Sequence, residues 1–313
     1  MKKLQKLLGG AAILGMLVFQ TATVSANDGM EYIKAEYQAI ANVTSMGVKG
    51  SGSILCPLAK ATGSMDSTFL LRPTLKAQGT FHGDMLFIAG EPFAGDMPFY
   101  INCTNDQLVL YLKDPKRGWE KSTTSIENLP ASLAMTPEKM AEALGMIKKA
   151  DVISETDTSR VLQVTLDGEK FGEAMKKSAS IMKKSPYYAQ QSEILAGLSQ
   201  DLTYTEKINK KTNLPESTAV DLSQPLRTAF MAALNQFSQK KQVNPEQVKI
   251  QDLFFNNTTA QEEVTYGPFN EVKEIIIPAE VLAAPEMKKP EHKKKVPATT
   301  KDKKAEAAPA KTN

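Results

Sequence analysis

The spacing of apolar residues divides the chain into a helical start, a long array of strands and a mixed second half. Residues 30–42 are predicted to form an amphipathic helix. Its apolar positions recur at helical intervals: Met30, Ile33, Tyr37 and Ile40. Over residues 43–124 the pattern changes to short β-type runs separated by Gly, Pro, Asn and Asp, clearest at 67–71, 80–88, 98–103 and 108–113. Strands at about ten-residue spacing predict an antiparallel meander, sandwich or barrel.

The second half of the chain alternates between the two patterns. Residues 150–156 and 160–166 are predicted to form a hairpin. Helix starts are predicted where a capping residue or a proline precedes an apolar stripe: Thr136-Pro137, Asp167-Gly168, Ser185-Pro186 and Ser223-Gln224-Pro225. The last of these helices carries Leu226, Phe230 and Phe237 on one side. Those three side chains form either a lid over an apolar groove or an ordinary helix-on-sheet core.

The first 26 residues have the pattern of a secretory signal peptide. Three lysines precede an apolar run at residues 7–19, and Val24-Ser25-Ala26 is a small-residue cleavage site. The apolar run is too short to span a bilayer. No cysteine stands directly after the site, so N-terminal lipidation is not expected. We therefore expect an exported protein, periplasmic or extracellular, with one folded domain over residues 27–284. The alternative is an uncleaved membrane anchor.

Charge is unevenly distributed along the chain, which has 38 basic and 35 acidic residues in total. Residues 285–313 carry nine lysines against four acidic residues. This tail lacks the large apolar residues of a core and is predicted to be disordered. It either tethers the protein to an anionic envelope polymer or membrane surface, or it is a solubilising extension. The remaining mature chain is acidic and carries no nucleic-acid motif, so nucleic acid is not an expected partner.

The chain contains two cysteines, Cys56 and Cys103, both in segments with strand-like patterns. Cysteines of exported proteins tend to pair, so a disulfide between them is predicted. The alternative is two buried thiols that never meet. No Cys-x-x-Cys motif is present, so neither cysteine is expected to be catalytic.

Few residues of the chain suit catalysis or metal binding. The two histidines are His82, in a predicted turn, and His292, in the tail, which excludes most histidine-based metal sites. Nucleophile elbows, phosphate loops and zinc spacings are absent. The adjacent carboxylates Glu262 and Glu263 would point to opposite faces of a strand. We expect a monomer with no enzymatic activity, cofactor or metal.

One hairpin motif is more specific than the rest of the sequence. Two alternating strands flank Ile208-Asn209-Lys210-Lys211-Thr212-Asn213-Leu214-Pro215, in which Asn213 suits a positive φ. The motif resembles the Ile-Asp/Asn-Lys-x-Thr-Asn/Gly-Leu-Pro hairpin of the LolA-like and LppX/LprG-like superfamily of bacterial envelope carriers of lipids and lipoproteins. The order of elements is also similar, with Gly118-Trp119-Glu120-Lys121 ending a meander. Residues 270–278 resemble the closing strand of these relatives.

The resemblance implies an α+β fold, with a strongly curved antiparallel sheet that forms an unclosed half-barrel and helices that cover its concave face. It also implies an apolar cavity for acyl chains. The aromatic and aliphatic candidates for its lining are Phe69, Leu71, Phe81, Phe87, Phe99, Tyr111 and Trp119. The expected function is to bind or carry lipids or lipoproteins. The alternative is a non-enzymatic interaction module that its basic tail tethers to anionic wall polymer or membrane.

Overall fold

The computed structural model describes most of the chain between Asp28 and Glu286. The described residues are 28–56, 59–87, 93–104, 107–125, 141, 144–173, 200–228, 231 and 256–286. The predicted signal peptide, the predicted helix starts at 136–137 and 185–186, and the tail beyond Glu286 lie outside these ranges. No helix within the ranges combines the length and apolarity of a membrane span.

Eleven described strands form one antiparallel sheet. Their bounds are β1 Ser45–Cys56, β2 Ala59–Leu70, β3 Lys76–Phe87, β4 Phe93–Cys103, β5 Gln107–Asp114, β6 Gly118–Ser125, β7 Ile147–Glu155, β8 Ser159–Leu166, β9 Leu202–Asn209, β10 Pro215–Asp221 and β11 Thr259–Phe269. The sheet order is β6-β5-β4-β3-β2-β1-β11-β10-β9-β8-β7. The first meander, β1–β6, and the second, β7–β11, are joined where β1 pairs with β11. The edge strands β6 and β7 do not pair with each other in the described chain. The predicted unclosed, curved half-barrel is therefore confirmed.

Helix α1, Asp28–Ile40, packs across the strands of the second meander. The four apolar positions predicted to face the core are all buried. Gly29 allows the first turn of the helix to lie directly against β7, because a Cβ there would collide with the carbonyl oxygen of Ala150. The sequence periodicity thus predicted both the helix and the side that it buries.

The strand register assigns each residue of the sheet to one of two faces. We call the face that contacts α1 the inner face and the opposite one the outer face. Leu162 on β8 and Tyr204 on β9 pack against α1 from the inner face. The cross-strand pairs continue this face through Val264 on β11 and Val48 on β1 to Phe99 on β4. One apolar face therefore extends across both meanders.

Residues 277–286, here called the C-terminal segment, cover part of the outer face. The segment contains a short helix, α2 (Ala279–Leu282), whose Val281 is fully buried against Tyr111. The carbonyl oxygen of Pro285 accepts a hydrogen bond of 2.9 Å from the backbone of β6. The first meander is consequently buried on both faces at β4–β6.

The hairpin between β9 and β10 has the turn chemistry that the sequence predicts. Asn213 adopts a positive φ of 54°. The side-chain oxygen of Asn209 accepts hydrogen bonds from the backbone N–H groups of Lys211 and Thr212, at 3.0 and 3.1 Å. An asparagine that bonds to the backbone two and three residues ahead fixes a tight turn. This local part of the prediction is confirmed.

The predicted closing strand at residues 270–278 is wrong. The last strand, β11, ends at Phe269, and residues 271–278 form no strand. Asn270 has a positive φ of 63°, and its side-chain oxygen accepts a 2.7 Å hydrogen bond from the backbone N–H of Thr44. The chain leaves the sheet at this contact, and Ile277 beyond it packs in the outer-face cluster.

The predicted disulfide between Cys56 and Cys103 is also wrong, because Cys103 is a free thiol. Cys103 directly follows Asn102 in β4, and the register places Asn102 level with Ser45 at the start of β1. Cys56 is at the opposite end of that 12-residue strand. The two residues are therefore separated by roughly 36 Å along the strands at 3.3 Å per residue, whereas a bridge requires Cα atoms within about 7 Å.

Candidate functional site

A row of four glycines crosses the inner face of β1–β4. The register pairs Gly52 with Gly63, Gly63 with Gly83, and Gly83 with Gly95. On the neighbouring strand β11, Glu262 pairs with Gly52 and ends the row. Because adjacent strands lie ~4.8 Å apart, these glycines leave a path roughly 14 Å long without side chains. We call this path the glycine trough.

The glycine trough is bounded by apolar side chains. Ile54 lies two residues along β1 on one side, and Met65 lies two residues along β2 on the other. These two flanking rows of side chains are four residues apart along the strands, so the distance between them across the trough is roughly 13 Å. A Cβ on Gly63 would approach nothing closer than the carbonyl oxygen of His82, at 3.4 Å, and one on Gly95 would have no atom within 4 Å. Around Gly63 the trough is therefore space that a side chain could fill, unlike the tight contacts at packing glycines, whereas Gly95 has a φ of 148° that disfavours any side chain.

An aromatic cluster lies on the inner face beside the trough. The rings of Phe81 and Phe99 stack with centroids 4.7 Å apart. Phe99 lies over Gly79, where a Cβ would come within 2.8 Å of the ring. Phe69 and Leu71 belong to the same cluster. Four of the predicted lining residues are thus brought together on one face.

Two other predicted lining residues, Tyr111 and Trp119, lie on the outer face, so their assignment to the same cavity is wrong. Tyr111 alternates with Leu110 and Leu112, which face inward, and Trp119 packs with Tyr100 at a centroid distance of 5.6 Å. The C-terminal segment covers these rings. Aromatic residues were expected to face the cavity, but a strand exposes alternate side chains to opposite faces.

The remaining site predictions fall partly outside the described residues. Phe87 closes β3, but its side chain is not among those described. Leu226 is buried in the helical residues 223–228, while Phe230 and Phe237 lie outside the described ranges. The lid assignment of these three residues stays a prediction.

Two carboxyl groups meet under α1 on the inner face. Glu36 of α1 and Glu206 of β9 are buried and hydrogen-bonded to each other. Burial raises the pKa of Glu206 to about 7. Burial raises the pKa of Glu36 well above its ordinary value, and the neighbouring Glu206 charge adds to the effect. The Glu36 carboxyl therefore keeps its proton and donates it to Glu206 in the hydrogen bond.

A third inner-face carboxyl, Glu262, is 8% exposed. Its Oε1 has no hydrogen-bond partner among the described groups. Burial raises the pKa of Glu262 to about 8. The adjacent Glu263 is exposed on the outer face, as the alternation predicted. A buried polar atom without a partner is uncommon in folded proteins and is a candidate ligand contact.

The outer face carries a row of three polar residues whose types are those of a Ser-His-Asp catalytic triad. Ser64, His82 and Asp96 are aligned across β2–β4, and His82 is in a strand, so the predicted turn is wrong. His82 Nδ1 lies 2.7 Å from Asp96 Oδ1 in an exposed hydrogen bond. No hydrogen bond described for these strands joins Ser64 to His82, so the nucleophile–base contact of a triad is missing. Within the described ranges, no three His, Cys, Asp or Glu side chains are grouped to hold a metal ion.

Sequence reasoning missed the buried carboxyl groups, although the patterns contained a signal. Glu36 follows Ile33 by three residues and thus falls within the apolar stripe of the helix. Glu206 follows Leu202 and Tyr204 on the same side of an alternating strand. An acidic residue at a position that the periodicity assigns to the core is the signal for a functional or titrating carboxyl.

The sheet and its inner face define a class of protein: an open antiparallel half-barrel with an apolar, carboxyl-bearing inner face. Residues 96–286, more than half of the chain, match the model of DUF6612, a family of unknown function. The protein belongs to this family. No curated protein matches its sequence.

Solved structures with a similar chain path include LprF from Mycobacterium bovis, at 11% identity and a TM-score of 0.43, covering 80% of this chain and 97% of LprF. A DUF1329 family protein from Desulfovibrio piger has 6% identity and a TM-score of 0.27, covering 80% and 96%. The MucA/MucB complex of Pseudomonas aeruginosa has 9% identity and a TM-score of 0.25, covering 62% and 50%.

Proposed function

We propose that this protein binds an acyl chain on the inner face of its sheet and acts as a lipid-binding or lipoprotein-binding protein of the cell envelope. The observation that carries the proposal is the glycine trough. It is a narrow path without side chains, and apolar residues lie on both sides of it. An acyl chain is long, narrow and apolar, which is the shape that such a path accommodates.

The energetics of burial support an acyl chain over a polar ligand. Apolar surface removed from water contributes about 25 cal/mol per Å². The residues that flank the trough, such as Ile54, Met65 and Phe81, offer carbon surface and no hydrogen-bond donor. A polar ligand would lose its hydration there without new partners. The proposal is one of binding and carriage, with no chemical step.

The proposed compartment follows from the predicted signal peptide at residues 1–26. An exported protein with an acyl-binding face would act on lipids or lipid-modified proteins of the envelope. The half-barrel stays open between β6 and β7 in the described chain. An open edge allows a chain to enter sideways, which a closed barrel would prevent.

Native mass spectrometry, with lipid extraction of protein purified from an envelope fraction, tests the proposal. We expect a stoichiometric adduct whose extracted component contains an acyl chain. Gly63→Leu should remove this adduct, because the leucine side chain would occupy the middle of the trough. Thr62→Leu is the matched control, since the neighbouring Thr62 is exposed on the outer face. The control should retain the adduct.

Two results would contradict the proposal. Protein at its bare mass, still empty after incubation with envelope lipids, would exclude acyl binding. An adduct that survives in Gly63→Leu, with the variant folded by circular dichroism, would place the acyl chain away from the trough.

A further inference from the structure

We propose that Glu262 binds the polar end of the ligand in the trough, and that this end carries a hydrogen-bond donor, either a hydroxyl or an ammonium group. The inference rests on the proposed function, because it assumes that an amphiphile occupies the trough. It adds the chemical class of the ligand and the residue that selects it.

The position of Glu262 supports this role. Its strand β11 borders the glycine row, and Glu262 is level with Gly52. The ideal Cβ position at Gly52 is 3.9 Å from the Glu262 Cγ. The carboxylate side chain therefore lies beside the end of the trough where the first glycine leaves space. A ligand along the row would present its end group to this side chain.

The missing partner of Glu262 defines the chemistry of the end group. The Oε1 atom is buried and accepts no hydrogen bond from the described residues. A buried acceptor without a donor is unfavourable, and a ligand hydroxyl or ammonium group would supply the donor. The neighbouring inner-face residues Val220, Ala260 and Val264 provide no donor from their side chains.

Charge argues against a carboxylate or phosphate end group. None of the described ion pairs includes Glu262, so no described cation compensates its charge. The raised pKa of Glu262, which burial causes, fits an uncompensated carboxyl. An anionic end group would meet either a like charge or a neutral acid in a poorly solvated place. A hydroxyl suits the neutral carboxyl, and an ammonium group suits the ionised one.

Isothermal titration calorimetry of the purified protein with three probes of equal chain length tests the inference. The probes are dodecan-1-ol, dodecylamine and dodecanoate, each below its micelle concentration. We expect the alcohol or the amine to bind at least tenfold more tightly than dodecanoate. Glu262→Met should weaken the preferred probe about tenfold, the typical effect of losing one hydrogen bond. Glu263→Gln, on the opposite face of the same strand, should change nothing.

The outcomes separate the inference from the proposed function. If all three probes bind equally, or if dodecanoate binds best, the role of Glu262 is refuted while acyl binding stands. If no probe binds, both are refuted. Glu262→Gln serves as a second variant where the methionine variant is unstable: it keeps an acceptor but no charge. A wild-type preference for the amine that Glu262→Gln removes would identify the end group as ammonium, whereas a preference for the alcohol that Glu262→Gln retains would identify it as hydroxyl.

Discussion

Replacing Glu206 by glutamine should remove much of the pH dependence of this protein's stability. Glu206 and Glu36 share a hydrogen bond under α1, and Tyr37, Tyr204 and Tyr266 surround them without a described cation. Burial raises the pKa of Glu206 from the ordinary 4.5 to about 7. The glutamine keeps the size and hydrogen bonding of the side chain but cannot ionise.

The sign and size of the effect follow from proton linkage. Between pH 4.5 and about 7 the unfolded chain has released the Glu206 proton while the folded protein still holds it. The folded state binds more protons in this window, so its stability falls as the pH rises through it and then levels off. Each pKa unit corresponds to about 1.4 kcal/mol, which makes the loss about 3 kcal/mol for Glu206 alone. The raised pKa of Glu36 acts in the same direction.

Urea denaturation at intervals between pH 5 and pH 9 measures this effect. The wild-type protein and Glu206→Gln should differ least at pH 5. The variant should be more stable by about 3 kcal/mol at pH 8. Glu263→Gln, an exposed substitution on the outer face, should follow the wild-type curve. Parallel pH curves for wild type and Glu206→Gln would refute the reasoning, because they would show that Glu206 titrates alike in the folded and unfolded states.

Three further predictions concern packing and the free thiol. Gly79→Ala should lower the free energy of unfolding by about 1–3 kcal/mol, because its Cβ would come within 3 Å of backbone and ring atoms; Gly63→Ala should cause no such loss in parallel thermal unfolding. Val281→Ala should cost about 2 kcal/mol through the cavity left on the outer face, while Leu282→Ala, at a 46% exposed side chain, should stay within about 0.5 kcal/mol. Alkylation without reductant should modify Cys103, faster at pH 9 than at pH 7 because burial raises its pKa; an unreactive, bridged Cys103 would contradict the structure.

Local patterns predicted what depends on neighbouring residues. The helical stripe from Met30 to Ile40 and the turn at Asn213 follow from periodicity and backbone preferences over a few residues. The glycine row does not follow from such local patterns. It forms only because the registers of three successive hairpins align one glycine from each of the strands β1–β4. Register depends on turn lengths and face burial and is not visible from spacing alone.

The two errors about the first meander have the same long-range origin. Tyr111 and Trp119 are among the predicted lining residues because the family resemblance implies an apolar cavity and strand aromatics suit its walls. Their cover comes from the C-terminal segment, which is distant in the sequence. The Cys56–Cys103 bridge failed for a related reason, since compartment and residue type do not reveal at which end of a strand a cysteine lies.

The glycine row has two physical explanations, and Gly63 separates them. Glycine inside a strand costs roughly 0.5–1 kcal/mol relative to alanine, so an aligned row requires a compensating role. Glycines permit the sharp coiling of a half-barrel, and they also leave space for a ligand. If curvature is the reason, Gly63→Ala should already destabilise the sheet. If space is the reason, Gly63→Ala should be neutral or stabilising, because it restricts the unfolded chain, and only a larger side chain should remove the ligand. The open surroundings of Gly63, with its nearest neighbour at 3.4 Å, favour the second explanation.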